Sequence, residues 1–153
     1  MAKSKSTLAL VSDATDTISI VAEFPALDPN SLFDYWTNPE LLRKWWPPVA
    51  ELRPEVNGSY HFSWPSQNWH LRGIFTEYTR GKELGLTWKW DHESTDVTRV
   101  TLKFEPIPAG GTRLTLRHGR YSEDETGKKM RNDHVEGWMY FLKKLQEQHG
   151  QAR

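Results

Sequence analysis

Four segments of the chain alternate between apolar and polar residues in the manner of strands that bury one face. They are residues 56–64, 84–90, 100–105 and 114–118. In the last of them, Leu114, Leu116 and His118 alternate with arginine and threonine. Successive side chains of a strand point to opposite faces, so this pattern predicts antiparallel strands with one face in the core and one in water.

Two further strands are predicted at residues 18–24 and 69–78. Both faces of the second segment mix apolar and polar residues, so the sequence does not define which face is buried. Glu77 shares a face with Gly73 and Phe75. It is therefore either an inward carboxylate with a raised pKa or a solvated strand end. The sequence predicts about six strands in all.

Two short helices are predicted between the first and second strands. Asp28 and Asn38 can each cap a helix, because their side-chain oxygens accept hydrogen bonds from free backbone amides. A proline follows each cap at the first helical position, where its missing N–H costs nothing. Both segments are rich in leucine and large aromatics, and Pro47 and Pro48 end the second helix. Such short apolar helices must cover one end of a sheet.

A long amphipathic helix is predicted at about residues 122–148. Ser122 and Glu125 form a capping box, and Gly150 is a reasonable terminator. One stripe of the helix carries Met130, His134, Trp138, Phe141, Leu142 and Leu145. The element order predicts an α+β fold in which this helix lies across the concave face of a curved antiparallel sheet.

Several motifs in this order resemble those of a known family. They are WTNPELLRKWWPP at 36–48, Gly58-x-Tyr60, Leu86-Thr87-Trp88, the glycine-led segment 110–116, and Gly137-Trp138. The chain thereby resembles, over about residues 18–145, the C-terminal domain of the activator of the heat-shock protein 90 ATPase. That domain belongs to the START-like (SRPBCC) superfamily of helix-grip folds, which also holds polyketide cyclases and lipid-transfer domains. Pro47 departs from the glycine that is usual in relatives.

Length and composition indicate a single domain over residues 1–153. Residues 1–14 are expected to form a flexible tail, although 7–11 could add a short strand. There are no cysteines, so neither disulfides nor thiolate metal sites are available. Twenty basic residues balance twenty acidic ones, which argues against nucleic acid or an anionic membrane as the main partner. The N-terminal apolar run is too short for a signal peptide or membrane span, so we expect a soluble cytoplasmic protein, monomeric or homodimeric.

Eight tryptophans indicate either a large aromatic core or a ligand pocket. For Phe33, Trp45 and Trp138, the helical spacing favours the core. A long helix bridging a curved sheet leaves space under its N-terminal half, and relatives use that space for apolar ligands. The candidate pocket residues on apolar faces are Trp64, Trp88, Trp90, Phe104 and Met130.

Two histidines interrupt otherwise apolar faces. His118 continues an inward strand series, and His134 lies one helical turn before Trp138. A buried neutral imidazole needs hydrogen-bond partners, so we favour satisfied structural histidines; a polar ligand anchor or a general acid/base is the alternative. Asp133 points about 100° away from His134 on the helix and is no obvious partner for it.

A metal site is the weakest interpretation of these histidines. The chain has no HExxH motif, no histidine pair at close spacing and no thiolate. No nucleophile motif, phosphate loop or dinucleotide fingerprint occurs either, so we expect neither catalytic residues nor a cofactor.

Three functional hypotheses remain. The leading one is a non-enzymatic START-like domain that binds a small hydrophobic molecule. The second, a co-chaperone of heat-shock protein 90, follows from the resemblance alone. It is weakened because the eukaryotic activators carry a separate N-terminal domain for which this chain has no room. The third is an enzyme of cyclase or dehydratase type that uses a pocket histidine.

Overall fold

The computed structural model describes residues 7–11, 14–93 and 96–149. Its strands are β1 (Leu8–Leu10), β2 (Thr17–Phe24), β3 (Val49–Leu52), β4 (Ser59–Trp64), β5 (Trp69–Thr79), β6 (Glu83–Trp90), β7 (Thr98–Pro106) and β8 (Thr112–Gly119). Its helices are α1 (Pro29–Thr37), α2 (Pro39–Leu42) and α3 (Glu125–His149), with a 3₁₀ turn at Pro65–Gln67. The strands form one antiparallel sheet in the order β1-β2-β8-β7-β6-β5-β4-β3. The predicted α+β helix-grip architecture is confirmed.

The sheet has eight strands rather than about six. Both additional strands are short and lie at the edges of the sheet. One is β1, the short strand that was the alternative to a flexible tail at residues 7–11, and the other is β3, which the sequence pattern did not predict. A four-residue edge strand offers too little alternation to be recognised. Residues 1–6 and 12–13 of the expected tail lie outside the described residues. The predicted strand at 56–64 starts later, because Val56 is exposed and Asn57 turns the chain with a φ of 67°.

The predicted caps of the two short helices are confirmed. Asp28 Oδ1 accepts from the Ser31 amide at 2.7 Å, and Asn38 Oδ1 accepts from the Glu40 amide at 2.9 Å. These bonds satisfy amide groups that have no partner inside a helix. At the start of α3, by contrast, the predicted capping box of Ser122 and Glu125 is wrong, because another residue caps the helix.

The cap of α3 is Asp124. Its Oδ1 accepts from the Gly127 amide at 2.8 Å and from the Ser122 hydroxyl at 2.9 Å. These bonds lower the pKa of the Asp124 carboxyl, because they favour its charged form. With Asp124 rather than Ser122 as the cap, the helix begins two residues later than the capping box predicts. Aspartate and serine are about equally favoured as caps, so the sequence alone did not distinguish them. Gly150, the expected terminator, lies outside the described residues.

The core lies between the concave face of the sheet and the helices. The alternating strand residues are buried as predicted, among them Leu102, Leu114 and Leu116. From α3, Trp138, Leu142 and Leu145 are buried, while Met130 and Phe141 are partly buried against the same core. Phe33 and Trp45 are fully buried, as their helical spacing predicts. No helix in the described part of the chain is long and apolar enough to cross a membrane.

A β-bulge in β5 explains why its buried face could not be read from the sequence. The register with β6 shifts between Phe75 and Glu77. Phe75 faces the core, and Tyr78 also does, with its ring edge-on to Phe33 at 5.2 Å. Glu77 is therefore exposed, so of its two interpretations the inward carboxylate is wrong. Its pKa is nevertheless raised, chiefly because its side chain hydrogen-bonds to Glu83.

Two side chains of α3 hold the N-terminal strands in place. Gln146 Nε2 donates to the carbonyls of Thr7 and Glu23, at 2.7 and 2.9 Å. Arg131 Nε donates to the carbonyl of Thr17 at 2.9 Å. The long helix is thereby fixed to β2 at both of its ends.

Candidate functional site

Five of the seven candidate residues form one group of ring contacts between the sheet and the N-terminal half of α3, and a sixth, Met130, lies on that half of the helix. They come from four elements: Trp64 from β4, Trp88 and Trp90 from β6, His118 from β8, and Met130 and His134 from α3. Trp88 is central, with ring centroids 5.7 Å from Trp90, 4.7 Å from His118 and 5.4 Å from His134. Trp64 lies 5.4 Å from Trp90. Met130 is one helical turn before His134.

Phe104 is separate from this group. It pairs with Leu114, four residues along β8 from His118, and packs on Phe33 of α1 with ring centroids 5.3 Å apart. The sequence places Phe104 on the buried face correctly but gives no register between strands, so its position along the sheet could not be predicted.

Further aromatic residues complete the group, which we call the aromatic cluster: Trp46, Trp64, Trp88, Trp90, His118, Tyr121, His134 and Trp138. Trp46 stacks on Trp88 at 5.8 Å with 16° between the planes. Its place in the double-tryptophan motif before Pro47 was a signal for a packing role, but not for this partner. Tyr121 follows β8 without any periodic pattern, so nothing in the sequence marked it.

Hydrogen bonds fix the protonation of His118. Its Nδ1 accepts from the indole Nε1 of Trp138 at 3.0 Å, and its Nε2 lies 2.9 Å from the Thr98 hydroxyl. An indole N–H can only donate, so Nδ1 carries the lone pair and Nε2 carries the proton. The ring is buried and faces α3, as predicted. Burial, with a smaller contribution from His134, lowers the pKa of His118 well below 6.5.

His134 is fixed in the opposite tautomer. Its Nε2 accepts from the indole Nε1 of Trp90 at 3.0 Å, so its Nδ1 donates to the Tyr121 hydroxyl at 2.7 Å. Burial lowers the pKa of His134 to about 4, against a small opposing effect of Asp133. The Asp133 carboxylate instead pairs with Lys129 at 2.8 Å, consistent with its predicted direction on the helix.

The two imidazoles stack on each other as a neutral pair. Their centroids are 4.8 Å apart and their planes differ by 20°. Every ring nitrogen has a protein partner, so neither ring presents a free nitrogen to a bound molecule. The hydrogen bonds therefore favour the structural interpretation of both histidines over an acid/base role.

Two buried indole N–H groups, one within the cluster and one beside it, lack a hydrogen-bond partner among the described residues. Nε1 of Trp36 and Nε1 of Trp88 are buried and make no hydrogen bond within the described residues. Trp46 lies between them, with ring centroids 5.8 Å from each. An unpaired buried donor costs about 1–3 kcal/mol, so both positions favour a hydrogen-bond acceptor.

The cluster reaches the surface where β5 begins and β6 ends. Trp69 is 44% exposed, lies 6.1 Å from Trp90 and stacks on His92 at 5.9 Å. We call Trp69, Trp90 and His92 the open end. Because these rings have solvent on one side, they can turn with less disruption than the buried rings behind them.

A separate cleft lies on β3, β4 and β5. It has a volume of about 490 Å³ and none of the seven candidate residues lines it. Its polar lining includes Glu51, Arg53, His61 and Arg72. Within the described residues, no group of three or more histidine, aspartate or glutamate side chains is placed to hold a metal ion.

Fold and site together define a START-like domain with an aromatic interior. The chain belongs to the family described as activator of Hsp90 ATPase homolog 1-like protein, whose model matches residues 26–150. The resemblance found in the sequence motifs is thereby confirmed. Among curated proteins, none matches the chain.

Solved structures share the fold. The protein MLL2253 from Mesorhizobium loti is 22% identical with a TM-score of 0.76, over 86% of this chain and 94% of that one. PFC0360w, an HSP90 activator from Plasmodium falciparum, is 22% identical with a TM-score of 0.70, over 90% and 98%. DynU16, from the dynemicin biosynthetic locus, is 12% identical with a TM-score of 0.71, over 86% and 46%.

Proposed function

We propose that this protein binds a small, largely apolar molecule that carries a hydrogen-bond acceptor. The site is the aromatic cluster between the sheet and the N-terminal half of α3. The observation that carries the proposal is the pair of buried, unpaired indole donors of Trp36 and Trp88 within aromatic walls. A mostly apolar site with a few polar groups is typical of small-molecule binding.

Entry of a ligand requires the rings to move. Trp46, Trp88 and Trp138 are in mutual ring contact, with centroids 5.2–5.8 Å apart, so a ligand must separate them. The open end supplies the route, because Trp69 and Trp90 retain solvent contact there. We propose a non-enzymatic role, which the protein hydrogen bonds to both nitrogens of His118 and of His134 support.

Titration with anilinonaphthalenesulfonate tests this proposal. The probe is apolar and aromatic and carries acceptor oxygens. We expect saturable binding to the folded protein in the micromolar range, on the order of −8 kcal/mol, with quenching of tryptophan emission. Trp88→Phe keeps an aromatic ring but removes the unpaired donor. It should weaken binding about fivefold, the value of one hydrogen bond near 1 kcal/mol.

Two substitutions on α3 localise the binding. Met130→Trp adds bulk at the predicted position of the ligand and should weaken binding without unfolding the protein. Tyr140→Trp is the matched control, because Tyr140 is 64% exposed on the same helix. Equal probe affinity in the Met130→Trp variant would contradict the proposal. Native mass spectrometry of the purified protein would show whether a ligand accompanies it.

Family membership supports a second candidate, a partner role at heat-shock protein 90. The matched residues 26–150 cover most of the chain, and the similar PFC0360w is an HSP90 activator. The test is the ATPase rate of heat-shock protein 90 with and without this protein. A saturable increase would support the partner role, and an unchanged rate would contradict it. A cyclase or dehydratase is less well supported, because neither buried histidine has a free nitrogen.

A further inference from the structure

A pair of histidines lies on the opposite face of the sheet from α3. His61 of β4 and His70 of β5 are nine residues apart in sequence, but strand pairing places Nε2 of His61 2.8 Å from Nδ1 of His70. Both side chains point outward, because the neighbouring Tyr60, Phe62 and Leu71 fill the buried face. The sequence showed no close histidine pair because the contact depends on register.

Acceptors face the outer nitrogen of each ring. Nδ1 of His61 lies 3.5 Å from a carboxylate oxygen of Glu51, its pairing partner on β3. Nε2 of His70 lies 3.2 Å from the Asn68 amide oxygen. In a neutral pair, one inner nitrogen donates an N–H···N hydrogen bond to the other, and the donating ring then has no proton for its outer acceptor. A cation in place of that proton, such as a metal ion, lets both outer N–H groups keep their acceptors.

The spacing of the inner nitrogens fits a metal ion with right-angled ligands. Two nitrogen ligands at the usual distance from a metal are about 2.9 Å apart at 90° and about 3.3 Å apart at a tetrahedral angle. The observed 2.8 Å is a hydrogen-bond distance, and it is also close to the right-angle spacing. Square-planar or tetragonal geometry with nitrogen ligands is typical of Cu²⁺ and Ni²⁺, and Cu²⁺ binds more tightly.

The surrounding groups suit a divalent ion at this position. Glu51 and Asn68 hold the outer N–H groups, as carboxylate and amide partners do around metal-bound histidines. Arg72, opposite His61 in the register, directs its charge to Asp91, with Nε 3.0 Å from both carboxylate oxygens. Its repulsion of a metal ion is thereby reduced.

We propose that His61 and His70 form a two-histidine site for Cu²⁺ on the outer face of β4 and β5, completed by water. This site is separate from the aromatic cluster and does not depend on the proposed ligand function. Because protons compete for the same lone pairs, binding should weaken as the pH falls.

Titration of the untagged protein with Cu²⁺ at pH 7.5 tests the site, by calorimetry and by electron paramagnetic resonance. We expect one ion per chain with two imidazole nitrogens in the spectrum. His61→Gln and His70→Gln should each weaken binding at least tenfold. His92→Gln is the matched control, because His92 is an exposed histidine that also lies beside a carboxylate, with Nε2 3.7 Å from Glu93. It should leave the affinity unchanged.

A further variant tests the outer partners without touching either imidazole. Glu51→Gln should weaken Cu²⁺ binding about tenfold, since second-shell partners typically contribute this much. Circular dichroism of each variant checks the fold. If the unmodified protein binds no Cu²⁺ at one ion per chain, the two rings form only a hydrogen bond and the inference fails. It also fails if both histidine variants bind as tightly as the unmodified chain, or if the spectrum shows one nitrogen.

Discussion

Acidification should weaken the fold through His134. Its neutral ring accepts from Trp90 and donates to Tyr121, and burial holds its pKa at about 4 against an ordinary 6.5. The unfolded chain therefore takes up this proton at higher pH than the folded chain. The stabilisation from this group is complete above the unfolded pKa and is lost as the pH falls through the folded value. Between pH 7.5 and 5, the loss is about 2 kcal/mol of unfolding free energy. His118, whose pKa is also lowered, acts in the same direction.

Urea unfolding at pH 7.5 and pH 5, followed by circular dichroism, measures this loss. His134→Gln is the informative variant, because a glutamine amide can accept from Trp90 and donate to Tyr121 but does not titrate. Its loss of stability between the two pH values should be about 2 kcal/mol smaller than that of the unmodified protein.

Two results would refute this reasoning. One is an equal pH dependence in the His134→Gln variant and the unmodified protein. The other comes from nitrogen-15 NMR of the imidazoles, which reports the tautomer of each ring. The indole donors require a proton on Nδ1 of His134 and on Nε2 of His118. The reverse assignment would show that the Trp–His bonds do not hold the rings neutral.

Two further predictions concern α3. Trp138→Ala should cost roughly 3–5 kcal/mol in chemical denaturation, because it empties a buried site; a loss below about 1 kcal/mol would show that Trp138 is not in the core. Gly137→Ala should stabilise the protein by about 0.5–1 kcal/mol, because no atom lies within 4 Å of the added Cβ and alanine favours the helix. Gly127→Ala should instead destabilise it by about 1–3 kcal/mol, since its Cβ would lie 1.8 Å from the Ser122 carbonyl oxygen; thermal melts that rank the two variants the other way would contradict both expectations.

Local rules predicted most of the fold from the sequence. The sequence predicts the caps at Asp28 and Asn38 and the apolar stripe of α3, because each depends on residues that are close together in the chain. The bulge after Phe75 could not be predicted from the sequence. Inserting one residue into a strand reverses the alternation that identifies its buried face. The edge strand β3 is too short to show alternation at all.

For the candidate site, the sequence predicted which face of a strand or helix each side chain occupies, but not which side chains it contacts. Periodicity placed His118 on the inward side of its strand, and the structure buries it there. That Trp138 and Thr98 would hold its two nitrogens depends on how α3 and β7 meet β8. The same limit applies to Phe104, which lies on the predicted face but farther along the sheet. Sequence patterns identify faces, whereas register and helix placement decide which side chains touch.

The pairing of β2 with β8 has a consequence for how the protein is made. β2 joins the sheet only through β1 and β8, and β8 lies near the far end of the chain. During synthesis, β2, α1 and α2 leave the ribosome long before that partner exists. Contacts so distant in sequence form slowly, and unpaired strands with apolar helices aggregate readily in the meantime. The chain is therefore exposed to aggregation during its own translation, while Phe33, Trp36 and Trp45 lack the sheet and the long helix that later cover them.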